Sequence, residues 1–144
     1  MRCNKCNTKG KAVKIDTVLS LCNDYVKNTI TDDKYYLCMN PECTVAYYSI
    51  IGREVELDSL KVSINFKNKK QKHIVCYCRN IDLDDIYLAV NKTSDYSIAK
   101  IIRLLLKDDV VIDCLHLNPT GDDCTEAFKA AIEKARKVKN KGEE

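Results

Sequence analysis

Val13, Ile15 and Thr17 alternate with Lys14 and Asp16, the two-residue period of a strand with one buried face over 11–18. The interval then lengthens. Val18, Leu21, Cys22 and Tyr25 recur at helical spacing until Thr31, Asp32 and Asp33 break the pattern. Tyr35, Tyr36 and Leu37 lead into a turn at 38–43, and an aromatic and β-branched run follows at 45–51. The two runs predict a β-hairpin with that turn at its tip. Val55, Leu57, Val62, Ile64 and Phe66 predict further strand structure.

The stretch 67–73 is polar, cationic and without apolar periodicity, so it reads as a solvated loop, and a linker is assigned to 67–75. Beyond it the period is helical. Asp82 stands before Leu83, Ile86, Leu88 and Val90, with Asp85 three residues on, which predicts a capped helix start. Ser94 or Asp95 opens a second helix through Ile98, Ile101, Ile102, Leu105 and Leu106. A third runs over 125–138 with Phe128, Ala131, Ile132 and Ala135 on one face. The predicted class is α+β, with a β-rich lobe at 1–66, the linker at 67–75 and a helical lobe at 76–144.

Nine cysteines in 144 residues change the picture from an ordinary globular chain to a metalloprotein. Arg2, Cys3, Asn4 and Lys5 follow Met1 with no apolar core of a secretory signal, and 98–106 is too short and too charged to span a bilayer. The expected compartment is the cytoplasm, where thiols stay reduced and dense cysteines point to metal or redox chemistry; a disulfide framework would require export.

Eight cysteines form two quartets and Cys22 stands apart. Cys3, Cys6, Cys38 and Cys43 are two close pairs with 31 residues between them, the spacing of a zinc knuckle. Four thiolates close the coordination sphere, so this zinc would be structural, a staple for a small lobe; a rubredoxin-like iron fits the same four sulfurs. Cys76, Cys78, Cys114 and Cys124 have no usual zinc spacing. Cys124 lies at a predicted helix start, where free N–H groups stabilise thiolate. Asn118, Pro119, Thr120 and Gly121 form a turn able to fold Cys114 and Cys124 back onto Cys76 and Cys78. This quartet suits a [2Fe-2S] cluster, which takes two thiolates per iron, with a second structural zinc as the competing reading. Bound metal also alters the charge. Eight thiolates remove eight units, while Zn2+ and an oxidised two-iron core return four, so the formal +3 becomes about −1.

The segment from Cys76, Tyr77, Cys78 and Arg79, through Cys114, to the Asn118–Cys124 turn resembles the bacterioferritin-associated ferredoxin (BFD-like) [2Fe-2S] module. The variant it looks closest to is the N-terminal domain of the archaeal CopZ copper-chaperone family. That domain also begins with Cys-x-x-Cys, as at Cys3 and Cys6, and has a Tyr-rich segment around a second pair, as at 35–48. The similarity spans about 1–130. It implies zinc at Cys3, Cys6, Cys38 and Cys43 and a [2Fe-2S] cluster at Cys76, Cys78, Cys114 and Cys124. The implied function is one-electron transfer linked to reduction of Cu(II) and to copper handling. The βαββαβ copper-delivery domain of that family has no counterpart in these 144 residues. The implied partners are a redox protein of unspecified identity, a copper ion or a copper transporter.

Remaining features have plainer readings. Cys22 is a buried core residue, with a spare copper ligand as the sharper alternative. His116, two residues after Cys114, is a surface residue or a neighbour of the cluster. The cations at 67–73 and at Lys129, Lys134, Arg136, Lys137, Lys139 and Lys141 read as solvated faces. The tyrosines cluster away from them, which disfavours nucleic acid. No phosphate loop, Ser-His-Asp set or carboxylate pair is present, so no catalytic residue and no enzyme class is assigned. The rival function is a zinc-only interaction module for nucleic acid or protein.

Overall fold

The Tyr-rich runs build an antiparallel sheet because every second side chain has a core to enter. The computed structural model describes residues 1–67 and 73–142. In it β1 (Lys11–Val13), β2 (Tyr35–Leu37), β3 (Val45–Ser49) and β4 (Glu54–Glu56) pair in that order, all antiparallel. Leu37 lies opposite Tyr47 and Tyr36 opposite Tyr48. Tyr35, Leu37 and Tyr47 enter a core with Val18, Leu21, Val55 and Ile64. Tyr36 and Tyr48 stack at 5.6 Å on the other face, beside Cys3, Cys38 and Cys43. The sheet therefore has a packed face and a cysteine face.

Two strand expectations change. The alternation over 11–18 yields only β1, because its partner β2 begins at Tyr35, opposite Val13. From Ile15 the chain turns into α1 (Ile15–Leu21), which buries Thr17, Val18 and Leu21, and α2 (Asp24–Lys27) follows with Tyr25 exposed. At the other end, Ile64 is buried and Val62 and Phe66 are partly buried, but after β4 and a 3-10 turn at Leu57–Ser59 they pack on the core outside the named strands. Ile50 and Ile51 are likewise not strand; they form the exposed turn to β4 that Gly52, at φ +88°, completes.

The second lobe opens with a short hairpin, β5 (Ile74–Cys76) and β6 (Ile81–Asp82). Four helices follow: α3 (Leu83–Asn91), α4 (Ile98–Leu104), α5 (Cys114–Leu117) and α6 (Thr125–Gly142). Asp82 and Asp85 form the expected capping box on α3. The cap of α4 is Ser97, whose hydroxyl accepts from the Lys100 amide, rather than Ser94 or Asp95. That helix stops at Leu104, so Leu105 and Leu106 lie beyond it and Leu106 is exposed at φ +57°. Phe128, Ala131, Ile132 and Ala135 of α6 are buried against Ile86, Ala89 and Val90 of α3 and Ile101 and Ile102 of α4.

The expected linker at 67–75 is shorter. Ile74, Val75 and Cys76 are strand, Lys67 is buried in the first lobe, and 68–72 lie outside the described residues. The tail cations are engaged along α6: Lys129 pairs with Glu126, and Arg136 and Lys137 with Glu133. Lys139 donates to the Val90 and Thr93 carbonyls at 3.2 and 2.9 Å, closing the end of α3. Among the described residues no helix is long and apolar enough to cross a membrane.

Candidate metal centres

The first quartet is assembled by a turn on the N-terminal segment and a turn at the tip of the β2–β3 hairpin. Cys3 and Cys6 lie in a loop closed by the Asn7 amide donating to the Cys3 carbonyl and the Cys3 amide to that of Thr8. Cys38 and Cys43 flank the hairpin tip, where the Cys43 amide donates to the Asn40 carbonyl. The four sulfurs all lie within 4.8 Å of one another. A tetrahedral ion with bonds of about 2.3 Å spaces its sulfurs about 3.8 Å apart, and Cys6 and Cys38 already stand at 3.6 Å. All but Cys6 are buried. The donor set, its closure and its spacing fit one zinc.

Burial pushes the Cys38 thiol up to about 12 and raises Cys3. Burial acts the same way on Cys6, but hydrogen bonds from Thr8 and Cys38 outweigh it and bring that thiol down to about 6. One ligand is thus poised as thiolate while others hold protons that a metal must displace.

Lys67, read from sequence as part of a solvated run, is a component of this centre. It is only 5% exposed, and its ammonium donates to the Asn40 carbonyl at 2.7 Å and the Cys43 carbonyl at 3.1 Å. A buried cation beside four thiolates offsets part of the negative charge that a zinc ion leaves uncompensated. Nothing local in the sequence separates Lys67 from its cationic neighbours; its role comes from Ile64 and Phe66 packing on the sheet.

The second quartet comes from the β5–β6 turn, which carries Cys76 and Cys78, and from the ends of the loop spanning Cys114 to Cys124. It is arranged in pairs. Cys78 and Cys114 stand 3.8 Å apart, and Cys76 is hydrogen-bonded to Cys124. Among the described residues, no group of three or more ligand atoms besides the first quartet is gathered within 4.8 Å. Cys76 and Cys124 are buried, whereas Cys78 and Cys114 are half-buried.

Donors surround these sulfurs. The Asp113 amide donates to Cys78 Sγ at 3.2 Å and Arg79 Nη1 to Cys76 Sγ at 3.4 Å. The bond from Cys124, aided by Arg79, holds Cys76 down to about 5, and the same bond together with burial raises Cys124. Burial and the neighbouring Cys78 push Cys114 up to about 11. The expected turn is present: the Asn118 side chain accepts from the Thr120 amide and hydroxyl, and Gly121 has φ +74°. His116 is bonded through Nδ1 to the Asp113 carboxylate at 2.9 Å. Cys22 is fully buried among Val18, Leu21 and Leu60, and burial raises its thiol to about 11. The roles of Arg79 and the Asp113 amide leave little trace in the sequence; an arginine next to a Cys-x-Cys pair is the one local signal.

Comparison with known proteins agrees with the first centre. Residues 1–61 match a family model described as the zinc binding domain of CopZ. No curated protein matches the chain. The X-ray structure of the Archaeoglobus fulgidus CopZ N-terminal domain superposes with a TM-score of 0.74 at 23% identity, covering 90% of this chain and 96% of that one. The Cys3, Cys6, Cys38 and Cys43 cluster lies wholly inside the segment that matches the zinc binding domain model, and the chain has the fold of the CopZ N-terminal domain.

Proposed function

We propose that the second quartet holds a [2Fe-2S] cluster and that the protein transfers single electrons, with reduction of Cu(II) to Cu(I) and copper handling as the linked process. The observation that carries this reading is the pairing of the four sulfurs. A single tetrahedral ion draws all four equally close, as at the first quartet, whereas a two-iron core takes one pair at each end. Cys78 with Cys114 and Cys76 with Cys124 are such pairs. When bound, the cluster supplies a site that stores one electron with little change in geometry.

The chain's own residues support that role. The Asp113 amide and Arg79 donate to ligand sulfurs, which stabilises the more negative, reduced charge state. Cys76 and Cys124 are shielded from water, while Cys78 and Cys114 reach the surface, giving an electron one short exit. The copper link rests on the similarity to CopZ.

Anaerobic protein is expected to contain about one zinc, two iron and two acid-labile sulfides per chain. Cys78→Ser should strip or perturb the visible absorption and leave zinc bound, and the reduced protein should convert Cu(II) to Cu(I) faster than cluster-free protein. Two zinc and no sulfide after reconstitution would refute the cluster and leave a zinc-only interaction module. Equal Cu(II) reduction by both forms would remove the copper link alone.

A further inference from the structure

The loop between Cys114 and Cys124 has little regular structure of its own: α5 has four residues, followed by the Asn118 turn. Ordering its nine intervening residues costs about 1–2 kcal/mol of backbone entropy each, so whatever holds the loop decides where both cysteines stand. The holding groups are on the other lobe. Thr17 of α1 donates its hydroxyl to the Leu115 carbonyl at 2.6 Å. Tyr47 of β3 donates its phenol to the Pro119 carbonyl at 2.5 Å, a buried bond. Lys11 of β1 forms an ion pair with Asp122. Gly121 fits closely over Thr17, since a Cβ there would stand 2.8 Å from the Thr17 hydroxyl.

Strand β3 links this anchorage to the zinc quartet. Tyr48, the next residue, enters the cysteine face and donates to the Met1 carbonyl at 2.6 Å. Two adjacent tyrosines on one strand therefore reach the two centres from opposite faces of the sheet.

We propose that the zinc lobe is the scaffold that preorganises Cys114 and Cys124, with Tyr47 and Thr17 as positioning residues for the second metal centre. The anchorage is independent of which metal that centre takes, although its role in cluster retention rests on the iron–sulfur reading above. Zinc loss would then loosen the second centre through β3 without touching any of its ligands.

The test uses the full chain as Tyr47→Phe, Thr17→Val and, as the conservative control, Thr17→Ser. Zinc-loaded, cluster-free protein is alkylated with iodoacetamide and each cysteine followed by mass spectrometry. Loss of one anchoring hydrogen bond should expose Cys114 and Cys124 on the order of tenfold faster in Tyr47→Phe and Thr17→Val. Thr17→Ser should match the wild type, and the zinc cysteines should stay protected throughout. In the reconstituted protein the same two variants should lose visible absorption to a chelator faster and change the visible circular dichroism. Wild-type alkylation rates in both variants would overturn the proposal. If Tyr47→Phe loses zinc and unfolds, the Thr17 pair decides: equal rates for Ser and Val overturn it. Fast alkylation in a protein that never accepts iron and sulfide would uphold the scaffold while refuting the iron–sulfur reading.

Discussion

Replacing Lys67 by Met keeps the length and apolar stem of the side chain and removes its charge, which isolates the bonds to the zinc turn. Two bonds disappear, at 2.7 and 3.1 Å, both from a charged donor to a main-chain carbonyl of the Cys38–Cys43 turn. Each such bond contributes about 1.5–3 kcal/mol, and an abandoned buried acceptor keeps its desolvation cost. Asn40 is only half-buried, so its carbonyl regains water and part of the loss is recovered; Cys43 is buried and regains little. The expected cost is about 2–4 kcal/mol. Zinc binding and folding of so small a lobe are linked, so the cost falls on zinc affinity, weakened about 30- to 1,000-fold. Competition with a chromophoric chelator measures it, and thermal unfolding of the zinc-loaded protein should shift down in parallel. Wild-type zinc affinity in Lys67→Met would refute the reasoning, because it would mean that the buried ammonium neither secures the turn nor balances the thiolates.

Two further outcomes follow from the electrostatics. With the proposed cluster bound, Arg79→Gln removes a cation bonded to Cys76 Sγ, so the reduced state would lose more stabilisation than the oxidised one; a redox titration should show the potential falling by about 40–60 mV, and a rise would contradict the proposal. Zinc binding should release protons at neutral pH, because Cys38 at about 12 and the raised Cys3 hold theirs while Cys6 at about 6 is already thiolate. Zinc affinity should therefore rise with pH by at least about a hundredfold per unit near pH 7, and fall more steeply below about 6 as Cys6 also takes up a proton; calorimetry in buffers of different ionisation enthalpy counts the protons, and a pH-independent affinity would contradict these thiol states.

Several parts of the fold were legible because their signals are local. The Tyr-rich runs, the turn at 38–43, the Asp82 and Asp85 cap and the apolar stripe of α6 each lie within a few residues, and each appears in the structure. The misreadings share one cause. Residues 11–18 and 62–66 alternate like strands, but the pairing of β1 with β2 stops at Val13 and β4 ends at Glu56, so packing on the core placed the apolar residues beyond them. Ser97 replaced Ser94 and Asp95 as a cap because several polar residues compete within one turn, and tertiary packing of Ile101 and Ile102 chose the register.

By itself, the sequence determined the thiol donors of the first quartet and the tight turns that bring near-neighbour cysteines together, both of which depend on short spacing along the chain. Only the tertiary structure decided that the second quartet stands in pairs, that Lys67 is buried beneath the zinc turn, and that Tyr47 and Thr17 hold the loop between Cys114 and Cys124. Those contacts join residues 24 to 98 positions apart, and a hydrogen bond at such separation leaves no trace in local pattern. It exists because sheet and helices pack in one arrangement, and that packing is a property of the whole chain.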